Sequence, residues 1–121
     1  MTKKPVTTFI ALVATLLLGA LFLYTPIASA EVVLVKYRGP VDLAPFRCDQ
    51  ISRSSLVHRV CYDRREHYML INLQGVYYHY CQIDADSVAR LLAADSMGRF
   101  FNANIKGRFD CRVLRMPVYK K

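Results

Sequence analysis

The first thirty residues restrict this chain more than any other feature, because they decide which part of it folds and in what chemical surroundings. Lys3 and Lys4 open it, and an apolar run from Phe9 to Tyr24 follows. Pro26 interrupts the run, and Ala28-Ser29-Ala30 places small residues just ahead of Glu31. A basic start, an apolar stretch and a small-x-small ending are what a secretory signal peptidase reads. Residues 1–30 are therefore expected to be a signal peptide and the mature protein to be periplasmic or secreted. The alternative is a protein anchored in the membrane by an uncleaved N-terminal segment, since Phe9 to Ala28 approaches the ~20 residues a membrane helix needs. Pro26 and the Ala-Ser-Ala ending favour cleavage, after which no stable membrane span is left.

Cleavage after Ala30 leaves 91 of the 121 residues, enough for one small domain. Without Lys3 and Lys4 the 17 Lys+Arg fall to 15 against 9 Asp+Glu, a net charge of +6, and 11 of the 15 are Arg. An Arg-rich surface favours anionic partners. The partner expected is a protein or acidic ligand, with nucleic acid as the lesser possibility. All four cysteines, Cys48, Cys61, Cys81 and Cys111, lie in the mature part. An even count in a short exported chain reads as two disulfides. A zinc site would want paired ligands such as Cys-x-x-Cys, and there is none, so neither metal nor cofactor is expected.

Residues 31–52 read as an irregular lead-in. Val32 to Val35 suits a short strand, but Gly39-Pro40 and Pro45 break the chain. Val57 to Tyr62 is a strand, followed by the polar loop Asp63 to Glu66. His67 to Leu73 is a second, Gln74-Gly75 a two-residue turn, and Val76 to Cys81 a third. Asp84 is a good N-cap for a helix running to about Asp95, with Ala85, Val88, Ala89, Leu91 and Leu92 as its apolar stripe and an Asp86–Arg90 pair on the wet side. Gly98 suits a left-handed helix end. Arg99 to Lys106 makes a further short helix with Phe101 and Ile105 stacked, closed by Gly107. The fold class is α+β: a three-stranded antiparallel meander packed on one helix, with a short second helix and disulfide-tied flanking segments.

The turn fixes a register. Leu73 faces Val76, Ile71 faces Tyr78 and Met69 faces Tyr80, giving an apolar face for the helix. The other face carries Tyr68, Leu70, Asn72, Tyr77, His79 and Cys81. If Tyr62 pairs with His67, Cys61 joins that face beside Tyr68. Cys61 and Cys81 then stand two strands apart, about twice the ~4.8 Å strand spacing, too far for a disulfide. Each should pair with a flank, stapling lead-in and tail over this outer face. Cys48–Cys61 with Cys81–Cys111 closes the shorter loops and is expected; Cys48–Cys81 with Cys61–Cys111 stays open as the alternative.

From Ser54 onward the chain resembles the KTSC domain, a small module named for its occurrence at the C-terminus of some lysyl-tRNA synthetases. Carrying the resemblance are Ser54-Ser55, Tyr62-Asp63, Gly75 followed by Tyr78 and Tyr80, and above all Ala94-Asp95-Ser96-Met97-Gly98-Arg99-Phe100-Phe101-Asn102, continued by Ile105. It covers residues 53–109, between the lead-in 31–52 and a C-terminal tail 110–121. The chain departs from the family pattern at Cys61, where Gly is usual, and at Ile83-Asp84, where Val-Pro is usual. Both departures suit an exported, cysteine-containing variant. The resemblance implies a three-stranded sheet with a helix and no known reaction. The attachment to synthetases hints at nucleic-acid or protein contact by analogy alone.

Catalytic constellations are weak. His58 falls on the helix side and His79 on the outer side, so these two histidines do not converge easily. Ser54-Ser55 with His58 and Asp63 holds the letters of a triad but no nucleophile elbow, and the serines suit local backbone hydrogen bonds. Two sets are candidates for binding. Tyr68, Tyr77 and His79 on a sheet face would stack single-stranded nucleic acid if that face is open. Arg99, Asn102, Lys106 and Arg108, around the Gly98 and Gly107 turns, would take an anion or acidic peptide. The preferred reading is a small exported binding module with no catalysis; the alternative is a nucleic-acid-binding domain using the aromatic face.

Overall fold

The structure, a computed structural model, describes residues 30–120; the expected signal peptide therefore lies, Ala30 apart, outside the described residues. Six strands come first: β1 (Val32–Val35), β2 (Gly39–Asp42), β3 (Arg47–Gln50), β4 (Val57–Asp63), β5 (Tyr68–Leu73) and β6 (Val76–Tyr80). Two helices follow, α1 (Ala85–Ala93) and α2 (Met97–Asn104). The strand order is β2-β1-β6-β5-β4-β3, antiparallel throughout except where β1 lies parallel to β6.

The meander β4-β5-β6 is the part that local rules specify. Gln74 and Gly75 both take positive φ, 51° and 95°, as a two-residue hairpin requires. The pairs Leu73–Val76, Ile71–Tyr78 and Met69–Tyr80 fall as expected. The first hairpin differs. Asp63 pairs with Tyr68 and Tyr62 with Met69, two residues beyond a Tyr62–His67 pairing, so Arg64–His67 make the turn. A shift of two keeps every side chain on its face, and Cys61 stays on the side of Leu70. A bulge between Val57 and Arg59 adds one residue to β4. Val57 and Val60 consequently both face the helices, and His58 is exposed rather than helix-packed.

The lead-in corrects the sequence reading most. Val32–Val35 is the short strand its sequence suits, but β2 and β3 stand where an irregular segment was expected, and the sheet has six strands instead of three. Gly39-Pro40 opens β2 instead of breaking the chain. β2 is an edge strand, where a residue without an N–H is tolerated. Gly98 is corrected too: it sits in the first turn of α2 rather than ending α1 in a left-handed residue. α1 stops at Ala93, where Arg53 donates to the carbonyls of Leu92 and Ala94, both at 2.7 Å. Asp84 caps α1 by accepting from Ser87 N (3.1 Å) and Ser96 caps α2 by accepting from Arg99 N (3.3 Å).

The sheet curls strongly. Its two edges, β2 and β3, are consecutive in the chain and joined only by Leu43–Phe46, where Phe46 N donates to Leu43 O at 2.9 Å. Arg59 of β4 reaches Glu31, just ahead of β1, at 2.6 Å, although three strand spacings, about 14 Å in a flat sheet, separate those strands. Two cores result. Both helices pack on the outside of the curl, with Val88, Leu91, Phe101 and Ile105 against Val60, Met69 and Ile71. The inside holds Val35, Val41, Leu43, Tyr68, Leu70, Cys61 and Cys81.

Both expected disulfides are present. Cys48–Cys61 joins directly opposed residues of β3 and β4, Cα atoms 4.0 Å apart, so this flank extends the sheet in its plane rather than covering a face. Cys81–Cys111, with Cα atoms 5.0 Å apart, ties the tail, which does cover the inner face through Leu114 and Tyr119.

Leu91, at 0% exposure, is the centre of the α1 stripe, while Leu92 is half-buried and Ala89 exposed. Leu91→Ala should destabilise the domain by about 2 to 5 kcal/mol and Leu92→Ala by less. Asp86→Ala, which removes the exposed 3.0 Å pair with Arg90, should cost less than about 0.5 kcal/mol. Denaturant midpoints check the order; a smaller loss at Leu91 than at Leu92 would mean that α1 is rotated.

Candidate functional site

The curl divides the two candidate sets. Tyr68 is fully buried inside it. Its hydroxyl meets His79 Nδ1 at 2.8 Å, and Arg38 lies over its ring at 5.0 Å. Arg38 also lies over Tyr119, at 5.5 Å, and donates to Pro117 O at 2.8 Å. Tyr119 in turn donates to Asp63, 2.7 Å away, the one buried carboxylate among the described residues. Tyr77 is half-buried, its hydroxyl accepting from Arg59 at 3.2 Å. The expected stacking face of Tyr68, Tyr77 and His79 is thus an interior, closed by the tail, and does not stand open to a base.

The second set also separates. Arg99 and Asn102 are exposed on α2 and Lys106 is exposed just beyond it. Arg108, past the left-handed Gly107 (φ 79°), turns away into a cleft of about 360 Å³ lined by Tyr37, Tyr78, His79, Tyr80, Asp110 and Arg112. His79 and Arg108 are therefore the two sequence candidates that the fold brings together. Tyr37, Tyr78, Tyr80, Asp110 and Arg112 were missed. Tyr78 and Tyr80 share the helix-facing side of β6, which hid their part in a cleft. The signal available was the density of the runs Lys36-Tyr37-Arg38 and Tyr77-Tyr78-His79-Tyr80.

Charge in the cleft is unevenly satisfied. Asp110 accepts from Arg112 at 2.8 and 3.1 Å, which holds its carboxyl down to about 2. Lys36 Nζ lies 5.4 Å from the Tyr37 ring and 5.5 Å from the Tyr78 ring. Arg108 has no carboxylate within salt-bridge reach among the described residues. Burial pushes the Tyr80 phenol upward, so it stays neutral. Burial, with the Arg38 charge second, pushes the His79 imidazole below its ordinary value.

The histidines do not assemble. His58 is exposed at the bulge of β4, His67 is exposed in the β4–β5 turn, and His79 bonds inward. Ser54 accepts from Val57 N at 3.0 Å, the local role its position suggested. No group of three or more His, Cys, Asp or Glu among the described residues is placed to hold a metal ion.

The sequence model of the KTSC domain matches residues 53–109. Residues 53–109 are a KTSC domain. A KTSC domain protein from Yersinia pestis has a crystal structure similar to this chain, with 27% identity and a TM-score of 0.51, covering 54% of this chain and 92% of that one. No curated protein matches the sequence. The residues that carry the KTSC pattern work as punctuation here: Ser54 opens β4, Ser96 caps α2, and Tyr62 donates to Ile83 O at 2.7 Å to seat the start of α1. The cleft straddles the boundary of the KTSC domain. Tyr78 to Tyr80 and Arg108 belong to it, whereas Tyr37 comes from the β1–β2 turn and Asp110 to Arg112 from the disulfide-tied tail. Two disulfides fit an oxidising compartment, and no described helix is long and apolar enough to cross a membrane.

His79 gives this site a pH signature. Its neutral form is favoured in the folded state, so the unfolded chain takes the proton first. The stability it contributes is present above pH ~6.5 and is lost as pH falls from there through the lowered folded value. A histidine titration followed by NMR should place its midpoint below ~6.5; a midpoint at or above that value would contradict its partial burial against Tyr68 near the Arg38 charge.

Proposed function

We propose that the protein is an exported, non-catalytic binding module whose tyrosine–arginine cleft takes an acidic partner. The observation that carries this reading is the cleft itself. Three tyrosines and Arg108 converge from three segments, Asp110 is already neutralised by Arg112, and Lys36 stands at the rim. Such a site attracts negative charge and gives planar groups a surface to rest on. Binding rather than catalysis is favoured by the scatter of His58, His67 and His79, which leaves no acid–base pair beside a nucleophile. Export is favoured by the N-terminal pattern and by the two disulfides. With Tyr68 buried, the aromatic sheet face is not part of the proposal.

Poly-L-glutamate is a suitable first probe, followed by NMR shift mapping on the disulfide-intact protein. Shifts should concentrate at Tyr37, Tyr78 to Tyr80 and Arg108, weaken with salt, and Arg108→Ala should lower affinity about fivefold. Shifts centred on Arg99, Asn102 and Lys106, or spread over the basic surface, would overturn the assignment to the cleft.

A further inference from the structure

One edge of β6 passes through this cleft, and it is not fully paired. In the tight β5–β6 hairpin Leu73 and Val76 close the turn as a hydrogen-bonded pair, so Tyr78 and Tyr80 exchange their backbone bonds with Ile71 and Met69. Tyr77, His79 and Cys81 then direct their N–H and C=O groups to the opposite edge. Two of these three have partners there: Lys36 N donates to Tyr77 O at 2.8 Å, and Cys81 N donates to Phe109 O at 2.8 Å. Between those two bonds the chain of β1 has already turned away, Arg38 N donating to Val35 O at 3.0 Å. Among the described residues β1 pairs with β6 at Val35–Tyr77 alone, and no backbone bond from a turn or loop reaches the N–H or C=O of His79. Its side chain is engaged inward with Tyr68, so what His79 brings to the cleft is its peptide backbone.

We infer that this gap is a docking edge for an extended acidic peptide, which pairs its own backbone with His79 and places a carboxylate at Arg108. The inference rests on the reading of the cleft as the site for an acidic partner and names that partner's form. Several features select this occupant. A neighbouring N–H and C=O in strand geometry are matched by a peptide group and not by a bare anion. The unpaired guanidinium of Arg108 and the ammonium of Lys36 flank the edge, while the carboxylate present, Asp110, is spent on Arg112. Tyr37, at 84% exposure, Tyr78 and Tyr80 give walls for side chains that alternate to either side of the added strand. The gap is one residue wide, bounded by Lys36 and Phe109, so recognition is short and its strength depends on the flanking charges.

The test uses the disulfide-intact protein and two blocked pentapeptides, acetyl-Glu-Val-Glu-Val-Glu-amide and the same peptide N-methylated at its central glutamate, with inorganic sulfate as a plain anion. In the free protein the His79 amide hydrogen should exchange faster than those of Tyr78 and Tyr80. The unmodified peptide should slow it, while sulfate should not. N-methylation should weaken binding about tenfold, and Arg108→Ala about fivefold. If both peptides bind equally and the His79 amide keeps its exchange rate, the edge is not used; the inference fails while the acidic-partner reading stands. If neither peptide nor sulfate shifts any resonance of Tyr37, Tyr78 to Tyr80 or Arg108, both fail.

Discussion

The short connection Leu43–Phe46 governs this structure. It links strands that lie at opposite edges of a six-stranded sheet, and a link of that length is possible only if the sheet rolls until its edges approach. The Arg59–Glu31 pair, which also gathers the Tyr77 hydroxyl, holds the rolled form from within. Rolling gives the sheet an inside, which is then too apolar to leave wet. Tyr68 and Leu70 stand there at 0% exposure, and the tail closes over them. Arg38 is enclosed in the same region between the rings of Tyr68 and Tyr119, where cation–π contact offsets part of the loss of water.

A chain of this size supports two small cores only with reinforcement. The disulfides are placed where packing alone is weakest. Cys48–Cys61 secures the edge strand β3, four residues long, to β4. Cys81–Cys111 fixes the start of a tail that has no regular secondary structure of its own. The same bond positions Asp110 and Arg112 beside β6, so the covalent tie that closes the inner core also completes one wall of the cleft.

Legibility followed range. The β5–β6 register, the cap at Asp84, the Asp86–Arg90 pair and the cysteine pairing were readable because each rests on contacts close in sequence or on a register that propagates from one turn. Of the lead-in strands only β1 was, as the short apolar run Val32 to Val35. β2 and β3 were not: each has four residues and Gly39-Pro40 reads as a break. Nothing local distinguishes those two from loops; they exist because the sheet is already there. The bulge at His58 was equally silent, and it moved that side chain from a core face to solvent. The cleft was half legible. Arg108 and His79 were candidates for reasons of charge and ring chemistry, but Tyr37 lies some forty residues from β6 in sequence, and the turn that brings it there follows from the rolled sheet.

The inner face must be a closed core, because that is what moves the proposed binding surface from the sheet face to the β6 edge. Nuclear Overhauser contacts of the Tyr119 ring in the disulfide-intact protein test this most directly. Cross-peaks to the rings of Phe46 and Tyr68, whose centroids lie 5.9 and 6.5 Å away, are the expected result. A Tyr119 ring with unfolded-chain shifts and no contact to either would show the tail detached, the inner face open, and the central claim wrong.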